Sequence, residues 1–343
     1  MLKYLMMFLS LYLQAPRIIG QGNGIKITFS GDVMFDKSIR RIIKEKGDDY
    51  LLRYAKNIFA EYDYNIVNLE CPITNKTKAA VKQYTYKADS NSLLILKKAG
   101  VTHTGIPNNH SMDYFMAGLE DTYKYLIKYG LVPVGLGKDI KTACRPVLII
   151  KGLDTAALFA STSMYNGTEK GSAAICNCSI YELAELVKKY KDLHPHYMIF
   201  VSLHWGVEYT RIPTTEQVHC ARMLIDSGAE AVIGHHPHVI QQIEFYKGKL
   251  ILYSLGNLVF EQFRPVTKYG MFAGFSKTGS GGLSIMLYPI KIVESSPLIL
   301  SQKEKDNVKK ELLQISPTVK ITDTRDGWLV EPKSIVLKKK HEK

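Results

Sequence analysis

The stretch AEAVIGHHPHVIQ, residues 229–241, places three histidines within four positions, directly after an apolar run. The run at 231–233 is typical of a buried strand, and Gly234 and Pro237 favour a turn after it. Three neighbouring imidazoles in a packed core would each need hydrogen-bond partners. Three interpretations of the stretch therefore stand: a metal site, a proton-transfer site, or an exposed loop without a role.

Alternating strand and helix patterns occupy most of the chain. Short apolar runs predict strands at 25–33, 65–70, 101–109, 131–137, 146–152, 155–161, 198–206, 231–236 and 249–257. Amphipathic stretches between them predict helices at 38–47, 50–62, 92–100, 118–130, 181–193 and 214–228. This order predicts an α/β protein. We expect one domain over residues 25–300 and a C-terminal α/β extension, 301–343, packed on the same domain.

Composition and charge narrow the class of protein. The chain has 343 residues, of which 46% are hydrophobic and 22% charged, as in soluble globular proteins. A formal net charge of +13 favours an anionic partner. No nucleic-acid recognition motif accompanies the lysines, so we do not expect nucleic acid as a partner. The five cysteines, an odd number, are interpreted as structural or incidental.

The N-terminal segment, residues 1–24, has an early lysine, an apolar run from Leu5 to Leu13, and then small residues. This pattern indicates a signal peptide or an N-terminal anchor, and hence a protein that is exported or associated with the cell envelope. The alternative is a buried N-terminal helix or strand, which leaves a cytoplasmic location open. No later apolar run is long enough to span a bilayer.

Polar side chains end several of the predicted strands. They are a carboxylate, a second carboxylate, an amide with an imidazole, and further imidazoles: Asp32, Glu70, Asn109 with His110, His204, and His235, His236 and His238. Ligands of open α/β sheets gather where the carboxyl ends of the strands open into loops. This mixture of oxygen and nitrogen donors without thiolates suits Mn, Fe or Zn. The sequence therefore predicts a site for one or two divalent metal ions.

Several longer motifs resemble a known family. ITFSGDVMFD (27–36), NIVNLECPIT (65–74), GIPNNHSMDY (105–114), SLHWGVEY (202–209) and the stretch 213–260 occur in the order seen in the CapA family. These are poly-γ-glutamate and capsule-synthesis proteins, which resemble calcineurin-like metallophosphoesterases. The resemblance covers roughly residues 25–330. It implies a layered β-sandwich flanked by helices, in the order α-β-β-α.

The resemblance also implies roles for individual residues. Asp32 matches the first metal carboxylate, Glu70 the bridging carboxylate, and Asn109 with His110 a pair that gives one ligand and one residue near the scissile phosphate. The metal ligands it implies are Asp32, Glu70, Asn109, His204, His236 and His238. The catalytic residues it implies are His110, as general acid, and Asp32. Two positions depart from the broader phosphoesterase pattern, since Met34 replaces a metal-binding histidine and Glu70 replaces an aspartate.

Other residues are candidates for the substrate wall of the same site. His235 is additional to the family pattern and can compensate for the methionine, and Lys87 and Arg145 can meet an anionic substrate. Trp205 can shape the pocket, Glu208 can orient an imidazole, and Asn257 falls at a strand end. His103 lies inside a predicted strand and is interpreted as an ordinary structural histidine.

Two functions follow from these observations. The first is a metal-dependent hydrolase, phosphoesterase-like, in the metabolism of capsule, poly-γ-glutamate or another cell-envelope polymer. The alternative is a non-catalytic envelope scaffold that binds an anionic polymer within the synthesis and export machinery. The expected partners are an anionic polymer or a phosphoester substrate, together with membrane-bound polymer-synthesis proteins.

Overall fold

A computed structural model describes residues 24–165, 171–261 and 264–334. The prediction of a signal peptide or anchor at residues 1–24 falls on positions outside these ranges, except for Gly24. Helices in the described ranges are α1 (Ser38–Lys46), α2 (Ala55–Phe59), α3 (Ser92–Ala99), α4 (Phe115–Tyr129), α5 (Ile140–Ala143), α6 (Ile180–Leu193), α7 (Thr215–Asp226) and α8 (Gln302–Ile315).

Strands account for most of the remaining regular structure. In chain order they are β1 (Lys26–Val33), β2 (Tyr64–Leu69), β3 (His103–Gly105), β4 (Val132–Val134), β5 (Leu136–Gly137), β6 (Val147–Lys151), β7 (Asp154–Thr162), β8 (Ala174–Ile175), β9 (Met198–His204), β10 (Ala231–His235), β11 (Ile243–Tyr246), β12 (Lys249–Leu252), β13 (Asn257–Val259), β14 (Tyr269–Lys277), β15 (Leu283–Val293), β16 (Ser296–Ile299), β17 (Val319–Asp323) and β18 (Trp328–Pro332).

Two large sheets form the centre of the molecule. The first has the strand order β17-β18-β15-β14-β1-β2-β3-β4, with β13 beside β1 and β16 beside β15. Its strands β1 to β4 are parallel to one another. The second has the order β11-β12-β10-β9-β7-β6, and its strands β12, β10, β9 and β7 are parallel. In each sheet the parallel strands therefore end at the same edge, where a ligand site can form.

Aromatic packing joins the two sheets. The ring centroid of Phe29, on β1, lies 5.5 Å from that of Phe200, on β9, and 5.8 Å from that of Phe275, on β14. All three side chains are fully buried, and burial of apolar surface of this size is a main source of folding free energy. Helices α1 to α4 supply side chains to the core on the outer face of the first sheet, and α6 and α7 to that of the second. The predicted α-β-β-α layering is therefore confirmed.

One predicted helix is much shorter than the sequence indicated. The pattern predicted a helix over 50–62, whereas α2 covers only Ala55–Phe59 and hydrogen-bonded turns precede it. The carbonyl oxygens of Tyr50 and Leu51 accept hydrogen bonds from the hydroxyl of Ser296, at 3.2 and 3.0 Å. Because these carbonyls are engaged by a distant side chain, the first part of the stretch is held in turns.

The segment that follows residue 300 continues the first sheet. Helix α8 has a capping box in which Ser301 accepts from the N–H of Glu304, and β18 pairs with β15.

The cysteines include one disulfide, between Cys144 and Cys176, and the Sγ of Cys178 lies 3.6 Å from that of Cys176. Among the helices of the described ranges, none combines the length and apolar character of a membrane span.

Candidate metal centre

The polar strand ends of both sheets meet at one place. Asp32 lies in β1 and Glu70 directly follows β2, whereas His204 ends β9 in the other sheet. Two groups of three residues each bring their donor atoms within 4.8 Å of one another inside the group, and both groups include Glu70. The first group is Glu70, His204 and His236, and the second is Asp32, Glu70 and His238. A carboxylate that belongs to two donor groups can serve two neighbouring cations.

The histidine loop after β10 has an unusual backbone. His236 and His238 have φ angles of 98° and 56°, in a region that residues other than glycine seldom adopt. The loop is held by the N–H of Tyr209, which donates to the carbonyl of Pro237 over 2.8 Å, and by that of Trp205, which donates to His235 over 3.2 Å. Strained backbone of this kind concentrates at functional sites, where surrounding contacts enforce it.

Two glycines allow the chain to pass closely behind the centre. A Cβ atom on Gly31 would lie 2.0 Å from the carbonyl oxygen of Gly256, and one on Gly234 would lie 1.9 Å from that of Tyr253. The pairing of β1 with β2 also shifts register between Ser30 and Asp32. The absence of a side chain at these two positions therefore lets the strands that carry Asp32 and the histidine loop pack closely against residues 253–257.

Asp32 is fully buried and surrounded by donors. Its Oδ1 accepts a hydrogen bond from the amide of Asn68 at 2.8 Å, and its Oδ2 accepts from the backbone N–H of His236 at 3.3 Å. The Nδ1 atoms of His235 and His238 lie 3.2 and 3.4 Å from its carboxylate. Burial alone would raise the pKa of Asp32, but the contacts with His235 and His238 outweigh it and hold the pKa well below the usual range. The carboxylate is therefore ionised, as a metal ligand must be.

Glu70 has the opposite environment. Its side chain is fully buried, and neither carboxylate oxygen has a hydrogen-bond partner among the described residues. The nearest imidazole nitrogens are those of His238 and His204, at 3.7 and 3.8 Å from Oε1. Burial raises the pKa of Glu70 well above its usual value. A buried carboxylate without partners is costly, and a cation between it and the imidazoles would remove that cost.

Burial and the neighbouring carboxylates together decide the protonation of the imidazoles. It lowers the pKa of His204 well below its usual value and that of His236 to about 4, so both rings are neutral at pH 7. His238 differs, because Glu70 and Asp32 outweigh the effect of its burial and raise its pKa to about 9. Neutral imidazoles are the form that binds metals, and a metal at His238 would displace its proton.

His110 lies beside the centre with a partner of its own. Its Nδ1 is 2.8 Å from Oδ2 of Asp113, a fully buried carboxylate that also forms an ion pair with Lys82 and accepts from the N–H of Tyr86 at 2.7 Å. Burial lowers the pKa of His110, and the Asp113 carboxylate opposes that shift. The carboxylate fixes the ring so that Nε2 is available for proton transfer.

The amide residues of the candidate set also lie at the centre. Oδ1 of Asn109 lies 2.9 Å from Nε2 of His204, and Oδ1 of Asn257 lies 2.9 Å from Nδ1 of His238. Asn257 is the residue of β13 that pairs with Asp32 in the sheet. Each amide thus presents its oxygen to an imidazole of the cluster.

The remaining candidate residues lie in different surroundings. Glu208 lines a cavity of about 420 Å³ whose wall also includes His110 and His238. Trp205 is buried and donates to the carbonyl of Tyr253 over 3.0 Å. The ammonium of Lys87 donates to the carbonyl of Lys76 over 2.7 Å. Arg145 is exposed in the turn after α5, where its N–H donates to Thr142. The structure thus shows no contact of the latter two cations with the clustered donors, among the residues that it describes.

Two polar residues of the site were missed by the sequence analysis. Asn68 contacts both Asp32 and Nδ1 of His204, the latter at 3.3 Å, and Asp113 orients His110. Asn68 precedes Glu70 by two positions, a spacing that puts side chains on the same face of a strand. Asp113 follows His110 by three positions, the spacing of one helical turn. These two spacings were the available signals.

Comparisons with known proteins agree with the motifs. The family described as bacterial capsule synthesis protein PGA_cap matches residues 26–262. The PGA biosynthesis protein CapA of Bacillus subtilis (strain 168) is 30% identical over 320 residues, which is 90% of this chain and 80% of that protein. The capsule biosynthesis protein CapA of Bacillus anthracis is 30% identical over 311 residues, 87% of this chain and 75% of that protein.

Two further likenesses are more distant. A probable polyglutamine synthesis accessory protein of Mycobacterium tuberculosis (strain CDC 1551 / Oshkosh) is 27% identical over 276 residues, 74% of this chain and 72% of that protein. The crystal structure of TT1561 of Thermus thermophilus covers 77% of this chain and 98% of its own, with a TM-score of 0.41 and 11% identity. The family resemblance indicated by the motifs is confirmed by the family match and the two 30% relatives. The chain belongs to the bacterial capsule synthesis protein family, PGA_cap, together with the CapA proteins of the two bacilli.

Proposed function

We propose that this protein is a metal-dependent hydrolase that acts on a capsule polymer, poly-γ-glutamate or a related cell-envelope polymer. The observation that carries the proposal is the pair of donor groups that share Glu70, a buried carboxylate whose two oxygens have no hydrogen-bond partner among the described residues. A purely structural cluster would be expected to satisfy these oxygens with donors.

The donor set fits a pair of divalent cations. Carboxylate, amide and imidazole ligands without thiolates suit Mn, Fe or Zn, and the ligands proposed are Asp32, Glu70, Asn109, His204, His236 and His238. Cations held there would polarise the scissile group and make water nucleophilic near neutral pH. Asn68 orients Asp32, and Asn257 orients His238, so that the ligand atoms face the shared position.

His110 is the proposed general acid. Its ring lies in the wall of the cavity beside the cluster. Asp113 accepts from Nδ1 and stabilises the imidazolium form, in which Nε2 also carries a proton and can give it to the leaving group. Lys82, an exposed residue, forms an ion pair with the buried carboxylate of Asp113. Asp113 is therefore a positioning residue that acts through His110.

The partner and location proposed agree with the charge and the relatives. A net charge of +13 favours an anionic polymer, and the names of the two CapA relatives concern capsule and PGA biosynthesis. We infer that the protein works with membrane-bound polymer-synthesis proteins at the cell envelope. If the charge alone acts, the protein is a scaffold that holds the polymer without cleaving it.

The hydrolase and the scaffold are separated by one experiment. Purified protein is loaded with Mn²⁺ and incubated with γ-linked glutamate oligomers and with a panel of phosphoesters, and bond cleavage is measured for the wild type and Asp32→Asn. The matched control is Asp192→Asn, an exposed aspartate of α6 that pairs with Lys188. Cleavage that requires Asp32 but not Asp192 supports the hydrolase. Polymer binding without cleavage by any metal-loaded sample contradicts it and supports the scaffold.

A further inference from the structure

Three cysteine side chains lie together in a part of the molecule that the proposed function does not use. The Sγ atoms of Cys144, Cys176 and Cys178 all lie within 4.8 Å of one another. Cys144 and Cys176 form the disulfide, and Cys178 is a free cysteine whose Sγ lies 3.6 Å from that of Cys176. A structural disulfide requires only two cysteines, so the third one needs an explanation of its own.

Backbone contacts hold the three cysteines in place independently of the disulfide. The N–H of Cys176 donates to the carbonyl of Gly135 over 2.8 Å, and its carbonyl accepts from the N–H of Thr162 over 3.1 Å. Cys144 directly follows α5, and its N–H donates to a carbonyl of that helix. Cys178 directly precedes the residue that caps α6. Cleavage of the S–S bond would therefore leave the three sulfur atoms close together.

A cavity of about 370 Å³ gives solvent access to the group, since Cys144 and Cys178 form part of its wall. The charged residues of the same wall are two lysines and two glutamates, all of them exposed: Lys141, Lys189, Glu182 and Glu185. Because these charges balance, they do not select a ligand by its sign. The chemistry of the sulfur atoms decides what the group can bind.

The free thiol is protonated at neutral pH while no cation is bound. Burial and the carboxylate of Glu182 raise the pKa of Cys178 above its ordinary value. A protonated, half-buried thiol is a poor nucleophile, which argues against Cys178 as a reactive cysteine that attacks the neighbouring disulfide. A thiophilic cation would displace the proton, because metals bind the thiolate.

The number and type of donors limit which cation fits. Thiolates about 2.3 Å from an ion and spread evenly around it lie about 4 Å from one another. The 3.6 Å between Cys176 and Cys178, and the 4.8 Å within which all three sulfurs lie, suit that spacing once the S–S bond is open. Structural zinc takes four ligands, whereas no histidine or carboxylate of the described residues joins these three sulfurs. Three thiolates suit a soft monovalent cation such as Cu(I).

We propose that Cys144, Cys176 and Cys178 bind Cu(I) or another soft monovalent cation after the disulfide is reduced. A dithiol reductant supplies the two electrons: it becomes a disulfide, while Cys144 and Cys176 become thiols. Each thiol that binds the cation then releases its proton. In the oxidised protein the site is closed, because Cys178 alone does not hold the ion. The site is separate from the candidate metal centre and does not depend on the proposed hydrolysis.

The test is a competition for Cu(I) under anaerobic conditions. The full chain is reduced with a phosphine, desalted, and titrated with Cu(I) in the presence of bicinchoninate, a chelator whose absorbance reports the copper that it retains. The proteins are the wild type in its reduced and oxidised forms, and reduced Cys178→Ala, Cys144→Ala and Cys220→Ala. Cys220 is the control, because it is a free, buried cysteine of α7 that does not belong to the group. Reduced Asp32→Asn is a second control, which alters the candidate metal centre.

We expect the reduced wild type to withdraw about one Cu(I) per chain from the chelator. Cys178→Ala and Cys144→Ala should each weaken the affinity for Cu(I) by at least about tenfold, because each change removes one thiolate ligand. Cys220→Ala and Asp32→Asn should match the reduced wild type, and the oxidised wild type should leave the copper with the chelator. Circular dichroism of each sample shows whether it is folded. Cys178→Ala is the most direct comparison, since it leaves the disulfide intact before reduction.

Four results overturn the inference. They are equal Cu(I) affinity of the reduced wild type and Cys178→Ala, equal affinity of the reduced and oxidised wild type, no Cu(I) binding by the folded, reduced wild type, or loss of the native circular dichroism on reduction. The last result would show that the disulfide is required for folding, so that no folded protein offers three thiols. None of these measurements depends on turnover, so the proposed hydrolase can fail while the thiol site stands, and the reverse.

Discussion

Nε2 of His204 lies 2.9 Å from Oδ1 of Asn109, although the two residues are 95 positions apart and lie at the ends of strands from different sheets. His204 ends β9 in the second sheet, and Asn109 follows β3 in the first. Their contact shows that the polar strand ends of the two sheets face each other across the interface. The candidate metal centre is therefore a property of the packed pair of sheets.

Replacement of Asp32 or Glu70 should lower the metal content of the protein. We expect Asp32→Asn and Glu70→Gln to lower the metal content of purified protein by at least about tenfold, because each change removes an anionic ligand. Elemental analysis after growth with Mn, Fe and Zn measures this, with Asp192→Asn as the matched exposed control. We expect about one or two ions per chain in the wild type. If both variants hold the same amount, the metal binds elsewhere.

Replacement of His110, the proposed general acid, should slow the proposed hydrolysis without lowering the metal content. His110→Asn is expected to lower kcat by about a hundredfold or more, since general acid catalysis typically contributes that much. Metal content should stay at the wild-type level, because His110 belongs to neither donor group. Full activity of this variant on a cleaved substrate would exclude His110 as the acid.

Asp113→Asn should affect the same step through His110. Because the carboxylate opposes the lowering of the His110 pKa by burial, its loss should lower that pKa further. The protonated form of His110 would then be present only at lower pH. As the pH is raised, kcat should therefore begin to decline at a lower pH than in the wild type. The pH profile of kcat in the two proteins measures the shift, and superimposable profiles would contradict the positioning role.

His103 should make the folded state less stable in mild acid. Burial lowers its pKa from 6.5 to about 4, so the native state excludes a proton that the unfolded chain binds between these values. The free energy of unfolding should therefore fall as the pH is lowered from about 6.5 to about 4, by up to about 3 kcal/mol from this group. The penalty is absent above pH 6.5.

Urea unfolding across this pH range, in the wild type and His103→Asn, isolates the contribution. His219→Asn, which removes a more accessible imidazole of α7, is the matched control. A shallower dependence on pH is expected for His103→Asn alone. Parallel curves for all three proteins would assign the acid sensitivity to other groups.

Gly234 should tolerate no side chain. A Cβ at this position would lie 1.9 Å from the carbonyl oxygen of Tyr253 and 2.6 Å from Nε1 of Trp205, so the backbone behind the histidine loop would have to move. We expect Gly234→Ala to lower the free energy of unfolding by about 3 kcal/mol or more. Gly279→Ala adds the same methyl group where nothing lies within 4 Å, and chemical denaturation of both variants gives the comparison. If Gly234→Ala and Gly279→Ala have equal free energies of unfolding, the backbone at Gly234 and Tyr253 moves apart at little cost.

The strand ends were the most predictable part of the molecule. The runs at 25–33, 65–70 and 198–206 were recognised as strands that end in polar groups, because apolar runs and polar ends are local features. Their convergence depends on how two sheets pack, which no local pattern states. The family motifs supplied that information.

The features that the sequence did not predict depend on contacts between distant parts of the chain. The strands β14 and β15 were not predicted, although they form the longest antiparallel pair of the first sheet. Helix α2 is short because Ser296, far along the chain, engages the carbonyls before it. The stacking of Arg264 on Tyr209 likewise depends on the fold, because nothing in the local sequence brings the two residues together.

The shared position of Glu70 has a consequence for assembly. Donors from residues 32–109 and donors from residues 204–238 belong to separate sheets, so neither half of the polypeptide carries a complete coordination shell. An ion bound between the two sheets would stabilise the folded protein. By mass action, a hundredfold excess of free ion over its dissociation constant would add about 2.7 kcal/mol to the free energy of unfolding. Chelation should therefore lower the free energy of unfolding, and the thermal midpoint of the metal-loaded protein should depend on the concentration of free ion.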